Sequence, residues 1–382
     1  MLLCLNPNRL IGVFYITPAM RFLPIIALLV CAAFAADVSF EGTLEADYGN
    51  YLEKDFKVNN AANHDLRLKM NVNMDENVRA VVGVASKSIV PGSGEYSRIR
   101  HRYEATPIGS DSSRWVPFAF DGISVEWTVS RGLTFIFGDL FYSFGSFNYY
   151  YWRNPDYHAA VLPTQGLRGV GVRLGDDGYV YLGASDANDK SGRFAASYSF
   201  AMPGLNQVNN KFTFAPMIDL IKGGGRSHRY TVGIDANYSR SYTDLNYAIR
   251  GIYGLHPSHG NFVNTFTVEP SFNYKSFSLA GTGYWAVLSD DSDTTKKSVT
   301  IDDIYTTDEK LIYLEPAYSF NKRFSMGLGF EWHKPETDDW FLIAPTGYLY
   351  PTAGVDLSFW ISYAITEGHN NPGFGISSSV KF

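Results

Sequence analysis

Phe324-Ser325-Met326-Gly327-Leu328-Gly329-Phe330-Glu331-Trp332-His333 alternates without a break. Every even position carries a large apolar side chain, and every odd position a small or polar one. A period of two is that of a β-strand with two unlike faces. Two further stretches behave the same way. Leu66, Leu68, Met70, Val72 and Met74 interleave with Asp65, Arg67, Lys69, Asn71 and Asn73, and Tyr230, Val232, Ile234, Ala236 and Tyr238 interleave with Arg229, Thr231, Gly233, Asp235 and Asn237. Strands of soluble sheets average about five or six residues. A tilted strand that crosses a bilayer needs about 9–11, and these stretches have that length.

Working outward from them, strands are expected near 38–50, 64–74, 77–87, 120–130, 132–142, 167–174, 178–186, 193–201 and 211–220. The series continues near 228–239, 243–254, 261–273, 276–288, 310–320, 323–333, 340–350, 354–366 and 373–382. Short links such as Asp75-Glu76-Asn77, Ser130-Arg131-Gly132 and Asn321-Lys322-Arg323 alternate with long polar ones at 51–63, 88–119, 143–166 and 289–309. The pattern predicts an all-β chain forming a closed antiparallel transmembrane β-barrel. It has 16–18 strands, with 18 the best count, short periplasmic turns and long extracellular loops. Closure follows because a lipid-facing sheet must satisfy every backbone group internally. The 202–210 link is longer than this scheme wants. A soluble sandwich with its polar face outward is the competing reading. Aromatics near both ends of the apolar phase favour the barrel: Tyr230 and Tyr238, Phe262 and Phe272, Phe324 and Trp332, Phe374 and Phe382.

The amino terminus reads as an address. From Met20, one positive charge at Arg21 precedes an apolar run and the Ala33-Phe34-Ala35 exit, so residues 1–35 are expected to be a signal peptide. Residues 1–19 form a possible upstream leader, and either Met1 or Met20 serves as the start. The barrel is expected over 36–382. Cys4 and Cys31 leave with the leader, which excludes disulfides, thiolate zinc and thiol catalysis. Removing Arg9 and Arg21 leaves 30 basic against 38 acidic residues, a net charge of −8. No basic run suggests nucleic acid. Neither Gly-x-Ser-x-Gly nor His-Glu-x-x-His occurs, so no enzyme, cofactor or metal is expected. Asp290, Asp291 and Asp293 lack the calcium-loop spacing, and His256 and His259 read as ordinary loop residues.

The final segment Gly373-Phe374-Gly375-Ile376-Ser377-Ser378-Ser379-Val380-Lys381-Phe382 resembles the insertion signal of bacterial outer-membrane barrels, with Phe382 at its end. The whole chain after the leader resembles a porin. That resemblance implies a bacterial outer-membrane location, assembly by the barrel machinery through the last strand, lipid as surroundings, small hydrophilic solutes and ions as cargo, and a homotrimer. It also implies that the third long loop, 143–166, folds into the barrel and sets the constriction. Seven aromatics in 143–158 would otherwise form an exposed apolar patch. Unlike general porins, this loop holds a single acid, Asp156.

Candidate channel-lining residues are Arg67, Lys69, Arg79, Glu126, Arg250, Glu269, Glu315 and Glu331 on the polar phase, with Arg153 and Asp156 in the loop. Opposed charges across a narrow water path create a transverse field. Tyr149, Tyr150, Tyr151 and Trp152 offer a stacking surface for sugar rings. Three functions stay open: a general diffusion porin, a saccharide-facilitating channel, and a structural or adhesive barrel with an occluded lumen.

Overall fold

Residues that alternate in polarity need two different solvents, and the chain provides them by curling one sheet into a ring. The computed structural model describes residues 37–52, 58–89, 114–115, 119–149, 159–184, 191–202, 209–223, 226–258, 261–288, 309–334, 340–366 and 369–382. Eighteen long strands run in order: β1 Asp37–Leu52, β2 Val58–Asn73, β3 Val78–Ile89, β4 Ala119–Ser130, β5 Leu133–Ser146, β6 Ala159–Leu174, β7 Gly178–Ala184, β8 Ser191–Tyr198 and β9 Asn210–Gly223. They continue as β10 Arg226–Ser241, β11 Leu245–Ser258, β12 Asn261–Tyr274, β13 Phe277–Leu288, β14 Glu309–Asn321, β15 Phe324–Lys334, β16 Trp340–Thr352, β17 Val355–Thr366 and β18 His369–Lys381. Two short pieces, Arg114–Trp115 and Phe200–Ala201, extend β4 and β8.

Each strand pairs antiparallel with its chain neighbour, and β1 pairs with β18 from Thr43↔Lys381 to Tyr51↔Gly373. The ring is therefore closed. Its seam is stitched at the end predicted to matter: Gly42 N–H donates to Phe382 O at 2.8 Å, and Phe382 N–H to Gly42 O at 3.1 Å. The Phe382 ring lies over the bare Cα of Gly42, where an added Cβ would come within 2.6 Å of it.

The phase is as the alternation requires. Along β15, Ser325, Gly327, Gly329, Glu331 and His333 point inward and are buried, whereas Met326 and Phe330 are exposed on the outside. The outer face carries large apolar side chains in every quarter: Phe137, Val170, Leu182, Ile234, Phe266, Leu314, Ile343, Phe359 and Ile376. A soluble sandwich with its polar face outward is excluded by this orientation, because the polar phase faces the interior. Pro216, Pro270, Pro316 and Pro345 all share the outward phase, paired with or flanked by apolar neighbours. The ladders skip a pair at 269–270, 315–316 and 344–345, as a residue without an N–H requires.

Leu314→Arg puts a guanidinium in the middle of the apolar belt. It is expected to destabilise the inserted barrel by about 2–4 kcal/mol, read as a lowered urea midpoint in lipid vesicles. A substitution to Arg at the inward Gly329 should not show this lipid penalty.

Several strand ends move from expectation: β1 runs to Leu52 and β2 begins at Val58, inside the link expected over 51–63, and β18 begins at His369. β5 runs to Ser146 and β6 begins at Ala159, so the loop expected over 143–166 is confined to 147–158. The extra strand residues do not extend the wall. Register slips twice, between Tyr142 and Phe144 and between Phe144 and Ser146, and Gly145 takes φ +71°. Such bulges bend a hairpin. Here they turn Ser146, Asn148 and Tyr149 toward Arg250 and Glu269 inside the barrel.

Candidate functional site

Among the described residues, three charged clusters stand out on the inner face, beside the inward part of the β5–β6 hairpin. Nearest the β1–β4 wall, Glu126 sits between two guanidiniums. Arg79 reaches its Oε2 at 2.7 Å and Arg173 its Oε1 at 2.7 Å. Glu126 is nearly buried, whereas the two arginines keep about 40% of their side chains exposed (42% and 36%). With Lys69, Asn71, Glu41 and Tyr181 they line a cavity of about 330 Å³. Three cations therefore face two anions there. Asn71 is held by a 3.1 Å bond from its Nδ2 to Glu41 Oε1.

Glu126→Gln removes one of those two anions and leaves both guanidiniums in place. The expected result is a shift of the reversal potential in a salt gradient toward anion preference, with single-channel conductance changed little.

The second cluster lies on β8 and β9. Arg193 grips Asp219 with two bonds of 2.8 and 2.5 Å, and Tyr142 OH donates to Asp219 Oδ1 at 2.8 Å. Arg193 also donates to Gln165 Oε1 at 3.0 Å and lies 5.4 Å above the Tyr142 ring. Tyr142, Tyr179 and Tyr181 complete an aromatic group, the latter two stacked at 4.7 Å. Both members of the ion pair are buried.

The third cluster fastens the hairpin. Arg250 on β11 is clamped between Asp235 of β10 and Glu269 of β12. Its Nη1 donates to the carbonyl of Ser146 at 2.6 Å. Glu269 Oε1 accepts the backbone N–H of Asn148 at 2.7 Å, that of Tyr149 at 3.4 Å and the Thr282 hydroxyl at 3.2 Å. Phe147 meets Tyr284 edge-on at 5.4 Å. The start of the loop is thus tied to the opposite wall by charge-assisted bonds, the stronger kind.

Apolar packing completes the seat. Val161 at the start of β6 is fully buried, together with Phe144, Leu162, Ile252, Val263 and Tyr284. Gly233 and Gly254 make the facing wall flat: a Cβ at either would stand 2.9 Å from a Val161 methyl. This upper part of the interior is apolar, unlike the wet polar lumen that alternation alone suggests.

Of the expected lining residues, Lys69, Arg79 and Glu126 share the cavity, and Arg250 and Glu269 share the hairpin latch. Glu315 accepts from Tyr313 and Tyr348 hydroxyls at 2.5 Å each. Glu331 is buried on the inward phase, and Arg67, opposite Thr43, is exposed on it. Tyr149 contributes its backbone to the latch. Tyr150, Tyr151, Trp152, Arg153 and Asp156 lie outside the described residues. Sequence reasoning missed Arg173, Arg193, Asp219 and Asp235. Asp219 carried the available signal, a lone acid inside the apolar run Met217-Ile218-Asp219-Leu220.

Comparison with solved structures finds the same ring. Acinetobacter baumannii OccAB1 superposes with a TM-score of 0.57 at 9% identity, over 91% of this chain and 98% of that one. The chain has the fold of an outer-membrane porin barrel. A BenF-like porin from Pseudomonas fluorescens Pf-5 gives 0.52 at 11% identity, and the outer membrane protein opdK from Pseudomonas aeruginosa 0.52 at 9%. Each covers 91% of this chain and 98% of its own. No family model and no curated protein matches the sequence. At such identity the porin-type barrel is shared as architecture, and the side chains inside it belong to this chain.

Proposed function

We propose that this protein is a channel in a bacterial outer membrane. Small hydrophilic solutes diffuse passively through its lumen, narrowed by the hairpin that β5 and β6 send inside. The carrying observation is the combination of a closed ring, apolar outside and charged inside, with a segment of its own chain latched across the interior by Arg250 and Glu269. Such a ring is stable in lipid because no backbone edge is left open. The arrangement supports transport rather than surface display, since the charged clusters line the inside of the ring.

The cavity beside Glu126 gives the path a local excess of positive charge, so anionic solutes pass more readily than cations of the same size. The homotrimer implied by resemblance is not needed for this function. β1 and β18 complete the wall within one chain, and the path is whole in a monomer.

The test is conductance of the refolded chain in a planar bilayer, with and without added oligosaccharides. Stable current steps indifferent to sugar are expected. Steps that close in the presence of sugar, and recover on Trp152→Ala, would replace this reading with the saccharide channel. An inserted protein that never conducts would leave only an occluded surface barrel.

A further inference from the structure

The hairpin that β5 and β6 send inside is committed to one side of the barrel. Arg250 and Glu269 hold Ser146 and Asn148 against β10–β12, and Val161 seats on Gly233 and Gly254 of the same wall. The charged cavity lies across the ring, where Lys69, Arg79 and Glu126 project from β2, β3 and β4. One side chain of the hairpin borders it. Leu140 and Tyr142 are buried in the apolar cluster of the seat. Phe141, between them on the alternate face of the strand, is half exposed and lines the cavity. An apolar ring thus stands beside the cations and carboxylates.

The wall and the hairpin part at one point, and that point places Phe141. Ser124↔Gly138 is the last pair between β4 and β5 on the loop side. β4 goes on beside β3 through Ile123↔Val82 and Phe120↔Val84. The Ile123 N–H is taken by a side chain: Asp139 Oδ2 accepts it at 3.0 Å. The same carboxylate accepts from Arg168 of β6, Nε to Oδ1 at 2.7 Å and Nη2 to Oδ2 at 3.2 Å. One side chain therefore joins three strands where the hairpin departs. The parting needs glycine, since Gly122 and Gly138 take φ +113° and +122°. Two residues beyond Asp139, the Phe141 ring lies between two bare Cα atoms. A Cβ on Gly122 of β4 would come within 2.6 Å of it, and one on Gly166 of β6 within 3.2 Å.

We propose that Phe141 sets the size limit for organic anions in this channel, and that Asp139 and Arg168 are positioning residues that hold its ring at the cavity. Lys69, Arg79 and Arg173 draw an anion into the cavity. The ring decides how bulky a body can follow that charge past Glu126, because it fills space and offers a polar solute no hydrogen bond. The proposal rests on the channel reading above and adds its size selection.

The experiment is the bi-ionic reversal potential of the refolded chain in a planar bilayer, with chloride on one side and gluconate on the other. It gives the permeability of gluconate relative to chloride. Phe141→Ala is expected to raise that ratio several-fold, and Phe141→Leu to raise it less. Phe141→Trp should lower it. Arg168→Gln leaves the Asp139 carboxylate without its cation and should raise the ratio part of the way. Arg168→Lys, which still offers Asp139 a positive charge, should recover most of that difference. Phe137→Ala is the control, since it removes a ring from the outer face of the same strand and should leave the ratio unchanged. A wild-type ratio in Phe141→Ala, or an equal rise in Phe137→Ala, overturns the size limit. A ratio unmoved by Arg168→Gln overturns the positioning role. A wild-type chain that inserts and passes no current would instead overturn the channel.

Discussion

Val161→Asp is expected to raise single-channel conductance several-fold. Val161 is fully buried where the inward hairpin meets the far wall, between Phe144, Ile252 and the bare backbone of Gly233 and Gly254. An ionised carboxylate there would lie in an apolar seat with no partner. The effective penalty for such burial is several kcal/mol, and the apolar contact of the lost methyls adds about 1.5–3 kcal/mol. Against this stand the bonds from Ser146, Asn148 and Tyr149 to Arg250 and Glu269, at about 1.5–3 kcal/mol for each charged hydrogen bond. The carboxylate wins at the tip, while the latch keeps the base of the loop near the wall. The ring itself is held by its own ladders and stays closed, so the change should appear as a wider pore and not as unfolding. Gly233→Val attacks the same contact from the opposite side, since no Cβ is tolerated 2.9 Å from a methyl carbon, and it should widen the pore in the same sense. Wild-type conductance in both variants would show that the hairpin does not set the narrowest passage.

The reason this contact could not be read from the sequence is physical. Alternation reports a two-way choice between lipid and lumen, and it located eighteen strands because that choice is made at every residue. Read the same way, it puts Arg67, Lys69, Arg79, Glu126, Arg250, Glu269, Glu315 and Glu331 on the polar phase. It loses meaning where a third body enters the barrel. Leu133-Thr134-Phe135-Ile136-Phe137-Gly138-Asp139-Leu140-Phe141-Tyr142 is apolar on both phases. Ile136, Leu140 and Tyr142 are buried with the hairpin seat, Phe137 is exposed on the outer face, and Phe141 lines the cavity beside Glu126. Its one charge, Asp139, is paired with Arg168 and accepts the Ile123 N–H. The ends of the third loop were misplaced for the same reason: Phe144 and Leu162 look like loop aromatics and aliphatics until the inner wall they pack on is known. The partners of the charges were hidden too. Glu126 with Arg173, or Arg250 with Ser146, join residues 47 and 104 apart in the chain, and only the register of the closed ring brings them together.

Asp219→Ala is expected to cost about 3–5 kcal/mol, the range for removing one partner of a buried ion pair, which makes it the most damaging single change inside the wall. Arg193 would be left 6% exposed with its main counter-charge gone, and Tyr142 OH would lose its acceptor. Gln165 and the Tyr142 ring would still face the guanidinium, neither of them charged. Arg79 and Arg173, by contrast, are over a third exposed, so water can replace much of what Glu126 gives them. The same residues predict a rescue. Arg193→Met with Asp219→Ala removes both charges and fills part of their volume. Replacement of a buried pair by apolar side chains is often neutral, so the double variant should recover most of the urea midpoint lost by Asp219→Ala alone. The measurement is a double-mutant cycle of unfolding in lipid vesicles, followed by conductance of each variant. Tyr142 stands one residue before the first register slip that turns the hairpin inward. A loosened Asp219 should therefore also release that bend, and Asp219→Ala should show unsteady, flickering current where the double variant is quiet. If the single variant is as stable as wild type, the pair is hydrated in the membrane and the inner wall at β8 and β9 is wetter than its packing implies.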